Sequence, residues 1–257
     1  MSIDGGNDIS AVVLTAVLDN IMEITINRPE ARNALNGAVG AGLAASVTRA
    51  VADPDVLAVI LTGAGERSFC AGMDLKAFSG GSDLSDVGAA LAALRDCPKP
   101  IIGAVNGAAL AGGFELLMLC DLVVAAEHAT LGIPEVKRGL LAAGGATRLP
   151  SRIPLAIALE LGLTGDPVDA SGAARWGLVN RVVPLPELMT AARAMAARIV
   201  TNAPLAVQAT KALMLGELGG GHPDAVRARA AVLFRSADAR EGARAFAERR
   251  SAKWTGR

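Results

Sequence analysis

Residues 100–133 read PIIGAVNGAALAGGFELLMLCDLVVAAEHATLGI, and the order of their patterns decides the fold. PIIGAVNG (100–107) reads as a strand, GGFELLMLC (112–120) as a helix, DLVVAAE (121–127) as a second strand, and ATLGI (129–133) as a short third. One residue breaks the apolar logic. Glu115 follows Gly112-Gly113-Phe114 and leads straight into Leu-Leu-Met-Leu. A carboxylate carried into an apolar interior loses its hydration, so it needs a hydrogen-bonding partner, a shifted pKa or a task.

Working outward, the same cycle recurs. AVVLTAVL (11–18) and IMEITIN (21–27) flank Asp19-Asn20 and read as a hairpin, and an Ala/Val/Leu-patterned helix runs from about Gly37 to Ala52. LAVILTG (57–63) is a buried strand, RSFCA (67–71) a short run, and DLSDVGAALAALRD (83–96) a helix that Asp83 can cap; AGGATRLPSRI (143–153) starts another helix. Strand, short strand and helix repeating with short connections predict an α/β spiral of ββα units instead of an alternating Rossmann sheet.

From about Leu185 the pattern turns helical: ELMTAARAMAARIV (187–200), APLAVQATKALMLGEL (203–218) and, after Gly219-Gly220-Gly221, one helix over 225–250. Such amphipathic helices cannot bury their apolar stripes alone, so they pack on the core or on a neighbouring subunit. The expected division is a spiral core over 1–200 and a helical oligomerisation region over 201–257.

Composition narrows the partners. At 257 residues and 26.0 kDa the chain can bury a full-sized core. It is 52% hydrophobic, yet no uninterrupted apolar run reaches the roughly 18–20 residues that span a bilayer, so no membrane partner is expected. Twenty-five Lys+Arg balance twenty-five Asp+Glu, which leaves no basic field for nucleic acid and favours a small-molecule partner. Cys70, Cys97 and Cys120 lack metal-ligand spacing, and MSIDGGNDIS has no signal core; a reducing cytoplasm is the expected location. With no Tyr and 3% aromatics, few faces are left for stacking sugars or bases.

Three features are candidates for chemistry. The Gly112-Gly113 helix start lets a backbone approach a ligand while the first N–H groups stay unpaired. Glu115 is equally consistent there with a first-turn charge and with a catalyst. Glu135, after Pro134, reads first as a loop carboxylate paired with Lys137 or Arg138. In SFCAGMDL (68–75), Asp74 can cap the next element and the backbone N–H groups can point off the sheet edge, although an ordinary turn explains the run as well. Other patterns fail. TGAGERS lacks the third glycine and adjoining helix of a dinucleotide site, no Gly-x-Ser-x-Gly elbow accompanies His128 or His222, and no acidic or histidine cluster asks for a metal.

Taken together, AGMD (71–74), NGAALAGGFEL (106–116) and PEVKRGLLAAGG (134–145) resemble the crotonase (enoyl-CoA hydratase/isomerase) superfamily. The likeness extends from INRPEARNALN (26–36) through LTGDPVDASGAARWGLVNRVVP (163–184) to AFAERR (245–250), and the step of 20 residues from Glu115 to Glu135 matches the hydratase branch. The resemblance implies a ββα spiral and, after it, helices that build homotrimers or hexamers. It implies an oxyanion hole from the N–H groups of Ala71 and Gly112, and Glu115 and Glu135 as catalytic carboxylates. Asp74 and Leu75 would meet the coenzyme A adenine, Ala31 the CoA channel and Ala143 the acyl end. The substrate would be an acyl-CoA thioester with no separate cofactor, since coenzyme A is part of the substrate.

The implied reaction is hydration of a 2-enoyl-CoA, as in fatty acid metabolism. Alternatives are an isomerase, a carnitinyl-CoA-like dehydratase, or a non-catalytic acyl-CoA binder. A glycosidase is disfavoured by the shortage of stacking aromatics. Two departures stand out: Ala111 replaces a common third glycine, and Leu141-Ala142-Ala143 replaces the commoner Ile-Pro-Gly.

Overall fold

A computed structural model describes residues 11–75, 79, 83, 85–216 and 222–257. Strands β1 (Val13–Leu18) and β2 (Ile21–Ile26) pair antiparallel. Between them Asp19 and Asn20 both take positive φ, 50° and 64°, the backbone of a tight hairpin turn whose twist matches the strands. Helix α1 (Gly37–Ala52) starts where the Asn36 side chain accepts from Val39 N, and it buries Val39, Leu43, Val47 and Ala50 on one face. Lys99 closes its other end, donating to the carbonyls of Ala50 at 2.5 Å and Asp53 at 2.6 Å.

The spiral begins after α1. Three successive turns each give one strand to a large sheet: β3 (Ala58–Gly63), β5 (Ile101–Val105) and β7 (Leu122–Ala126). Each gives a shorter strand to a second sheet: β4 (Ser68–Cys70), β6 (Ala108–Leu110) and β8 (Thr130–Gly132). With β9 (Val168–Asp169) and β10 (Arg181–Val183) the sheets run β1-β2-β3-β5-β7-β10 and β4-β6-β8-β9. Every pairing among these strands is parallel except β1 with β2 and β8 with β9. The intervening helices are α2 (Ser85–Arg95), α3 (Gly112–Met118) and α4 (Ala143–Arg148), then α5 (Leu155–Thr164) and α6 (Ala170–Arg175).

Alternate residues of the large sheet face different cores, the period-two signature of a sheet covered on both sides. Met22, Ile24, Val59, Leu61, Ile101 and Val123 belong to the core that holds the buried faces of α1, α2 and α3, whereas Ile21, Ile60, Ile102 and Val124 lie under Leu188, Ala192, Met195 and Ala196 of α7 (Leu188–Val200). The next helix, α8 (Pro204–Met214), is fastened to this core by Lys211, which pairs with Asp121 at 2.8 Å and donates to the Lys99 carbonyl at 3.0 Å.

The expected single helix over 225–250 is corrected to two, α9 (Pro223–Phe234) and α10 (Ala237–Ala247). Ser236 interrupts it: its hydroxyl caps α10 by accepting from Ala239 N at 3.0 Å, the competing role that keeps Ser out of helix interiors. Helix α9 buries none of its residues, and Phe234 and Phe246 are 81% and 88% exposed. Among the described residues no helix is long and apolar enough to cross a membrane.

Candidate active site

The site is assembled where α3 begins. A Cβ on Gly113 would stand 1.9 Å from the Cys70 carbonyl oxygen, so glycine alone allows the helix to start against β4. That contact brings Gly112 beside the 71–74 segment: a Cβ on Gly112 would lie 3.6 Å from Met73 N.

Two peptide planes then decide which amides are available. In a trans peptide the N–H points opposite to the C=O. The Gly72 carbonyl accepts from Leu35 N at 2.8 Å, so the N–H of Met73, in the same plane, faces away from the 28–35 loop. The Ala111 carbonyl accepts from Glu115 N at 3.0 Å along the helix, so the Gly112 N–H points out of the helix start. Among the described residues neither amide has a bonded acceptor. Ala71 differs: its N–H donates to the Arg32 carbonyl at 3.1 Å. The amide expected as a donor at Ala71 is thus already engaged, and the one without a bonded acceptor beside Gly112 belongs to Met73, two residues on.

Ala111 holds its end of this arrangement at φ 51° and ψ −124°, a conformation that disfavours any residue with a Cβ. Its departure from glycine is thus a matter of backbone strain as well as side-chain size.

The two glutamates sit in unequal surroundings. Glu115 is half-buried, and its Oε1 accepts from Gly144 N at 2.7 Å and Gly145 N at 3.4 Å, at the start of α4. Those amides are the hydrogen-bonding partners that its position demanded. Glu135 lies in a 3₁₀ turn, Pro134–Arg138; it is 9% exposed, and its Oε2 has no hydrogen-bond partner among the described residues. Burial pushes its pKa up from the ordinary value; a hydrogen bond from its own backbone N–H opposes this in part, the nearby charge of Glu115 adds to the rise, and Arg138 offsets a little of it. Of the two partners read for Glu135, Lys137 bonds Asp166 instead, and Arg138 acts on it only through its charge.

The remaining expected residues lie in the 28–35 loop, in the 71–75 segment and at the start of α4. Ala31 closes a 3₁₀ turn (Pro29–Ala31) and is half-buried. The Asp74 carboxylate pairs with Arg28 at 3.1 Å, and its backbone N–H donates to the Leu35 carbonyl at 2.8 Å. Leu75 is exposed, as is Ala143, which precedes the amide that holds Glu115. Leu141, in the departed segment, is 82% exposed and leaves an apolar side chain beside the site.

Sequence reasoning missed Met73, Arg28 and Asn33. Asn33 is fully buried, and its side chain donates to the carbonyls of Ala64 at 3.0 Å and Ser68 at 2.7 Å, fixing the 28–35 loop to the β3–β4 connection. Asn in left-handed backbone is the signal that could have found it. Cys70 is buried with its thiol pushed up to about 12 by that burial, so it is an inert packing group. Among the described residues no group of three or more His, Cys, Asp or Glu could hold a metal.

The chain has known relatives. The family model for enoyl-CoA hydratase/isomerase matches residues 17–257. Carnitinyl-CoA dehydratase of Proteus mirabilis is 40% identical over 251 residues, 93% of this chain and 96% of that protein. Its namesake from Salmonella typhi is 41% identical over 250 residues, 92% and 95%. Among solved structures, an enoyl-CoA hydratase from Mycobacterium tuberculosis superposes with a TM-score of 0.90 at 48% identity, covering 96% of this chain and 100% of the other. A carnitinyl-CoA hydratase from Mycobacterium avium superposes with a TM-score of 0.78 at 46% identity, covering 96% and 99%.

Proposed function

We propose that this chain, which belongs to the enoyl-CoA hydratase/isomerase family, is a hydro-lyase that adds water across the 2,3-double bond of a 2-enoyl-CoA thioester. The observation that carries this reading is the pair of unpartnered amides, Met73 and Gly112, beside two carboxylates in unequal environments.

In a conjugated thioester, attack of water at C3 moves negative charge onto the thioester oxygen as an enolate. Two N–H donors already oriented toward that oxygen stabilise the enolate more than the ground-state carbonyl, and losing one such donor costs roughly 3 kcal/mol. Glu115, anchored on the Gly144 amide, orients the water and takes its proton as the C3–O bond forms. Glu135, whose burial favours the protonated form, delivers a proton to C2. The reverse sequence removes water from a 3-hydroxyacyl-CoA. A second reading, dehydration of a carnitinyl-CoA-like thioester, is favoured by the 40–41% identity to proteins of that name and uses the same groups.

The 28–35 loop and the 71–75 segment supply the backbone along the CoA channel, at Ala31, Asp74 and Leu75, and Ala143 borders the acyl end. The reaction needs no cofactor beyond the CoA of the substrate. The exposed helices α9 and α10 complete a homotrimer or a dimer of trimers in the cytoplasm, covering a neighbour's core; this is the role given to residues 201–257.

The test is turnover of a panel of 2-enoyl-CoAs of differing chain length, with the trimethylammonium-bearing enoyl thioester derived from carnitinyl-CoA included, monitored by loss of the conjugated-thioester absorbance. Preferential turnover of unsubstituted enoyl chains supports the first reading, and preference for the cationic thioester supports the second. Turnover of none contradicts both.

A further inference from the structure

Arg28 has no place in the chemistry above, yet its side chain is mostly buried beside the oxyanion site. One guanidinium nitrogen donates to the Ala34 carbonyl at 2.8 Å, and both it and the second reach Asp74 Oδ2, at 3.2 and 3.1 Å. The pair bridges the ends of a short backbone ladder: Ala71 N to Arg32 O at 3.1 Å, Leu35 N to Gly72 O at 2.8 Å, and Asp74 N to Leu35 O at 2.8 Å. Inside that ladder lies the Gly72–Met73 peptide, whose carbonyl is held and whose N–H is left pointing at the site. The 28–35 side of the ladder is itself fixed, because Arg28 N donates to Asn33 Oδ1 at 3.0 Å and the Asn33 amide is tied to Ala64 and Ser68.

We infer that the Arg28–Asp74 ion pair is a positioning device that fixes the Met73 N–H in the orientation needed to meet the thioester oxygen. The inference rests on the proposed hydratase reading. Three backbone bonds on a short segment fray readily, and a peptide plane that rotates by a few tens of degrees loses an N–H donor's alignment. The charged clamp, whose two side chains are only 16% and 17% exposed, restrains the residue immediately after the donor. Its effect is on the developing oxyanion and not on binding, since an interaction made in the transition state appears in kcat.

The experiment uses a chromophoric aryl-enoyl-CoA, whose absorbance moves to longer wavelength when hydrogen bonds polarise its thioester carbonyl, together with kinetics on a simple 2-enoyl-CoA. The proteins are the unaltered chain, Arg28→Met, Arg28→Lys, Asp74→Asn and the double variant Arg28→Met/Asp74→Asn. The unaltered protein is expected to show the red shift. Arg28→Met and Asp74→Asn should each lose most of it and lower kcat by about tenfold to a hundredfold, below the full loss of a donor, with KM changed less than about threefold. Arg28→Lys should recover part of both, and the double variant should be little worse than the poorer single one, because the two side chains act as one unit. A full red shift with normal kcat in folded Arg28→Met and Asp74→Asn overturns the clamp alone. A raised KM with unchanged kcat also overturns it and makes Arg28 a ligand for the CoA moiety. If the unaltered protein neither binds nor shifts the chromophore, the hydratase reading falls first. Should Arg28→Met fail to fold, Asp74→Asn and Arg28→Lys still decide the matter through the same shift.

Discussion

Glu135→Gln keeps the shape of the side chain and removes its charge, and the structure sets two opposite consequences for it. Glu135 is 9% exposed with one oxygen unpartnered, and burial, reinforced by the charge of Glu115, raises its pKa above the ordinary 4.5. As pH rises the unfolded chain therefore gives up this proton before the folded one does. The associated stability is fully present below the unfolded value and is lost as pH climbs through the folded value. Glutamine does not ionise. The variant should match the parent near pH 4 and exceed it at pH 7–8 by on the order of 1 kcal/mol, the low end for burying a group without a partner, because Glu135 is not wholly sealed. For a chain of this size that is about 2–4 °C in Tm. Hydration should meanwhile slow by roughly a hundredfold to ten-thousandfold. Thermal unfolding monitored by circular dichroism from about pH 4 to 8, beside turnover of a 2-enoyl-CoA, measures both effects. A variant that is less stable at neutral pH, or one that hydrates at a near-normal rate, refutes the reasoning.

Glu115→Gln should also cost at least about a hundredfold in rate with little change in KM, and the Glu115→Gln/Glu135→Gln double variant should be little slower than the worse single one if both act on one water; fully multiplicative losses in steady-state kinetics would place them at separate steps. Ala111→Gly removes a Cβ from φ 51° and should raise stability by up to about 1 kcal/mol, after the entropy that glycine adds to the unfolded chain, as measured by urea unfolding. Deleting residues 203–257 removes Lys211, the partner of Asp121, and the helices with the exposed Phe234 and Phe246. Size-exclusion chromatography should find aggregated or unfolded protein, and a soluble, folded monomer would contradict the oligomerisation role.

The spiral was legible because its signal is local. Apolar runs such as 57–63 and 100–107 declare buried strands, and Asp19-Asn20 declares a hairpin turn by residue type. Strand β6, Ala108–Leu110, has no signal of its own because three residues, two of them alanine, make no pattern; only pairing with β4 and β8 defines it. The break at Ser236 was readable from cap chemistry but was overridden by the continuous Ala/Arg/Leu periodicity around it. At the site, the resemblance to the family pointed to Glu115 and Glu135, while long-range contacts decided their surroundings: Lys137 finds Asp166, and Glu115 finds the Gly144 amide. That the Met73 amide is open while the Ala71 amide is engaged lay beyond the sequence altogether. Both amides belong to the same short segment, and only the direction of two peptide planes separates a donor already used by Arg32 from one left open.

The most direct test of the account is a crystal structure of the protein with a bound acyl-CoA thioester. The account predicts the thioester oxygen within about 2.7–3.2 Å of both Met73 N and Gly112 N, with C2 and C3 facing the carboxylates of Glu115 and Glu135. A thioester oxygen bonded elsewhere, or an acyl chain whose C2 and C3 lie away from both glutamates, would contradict it.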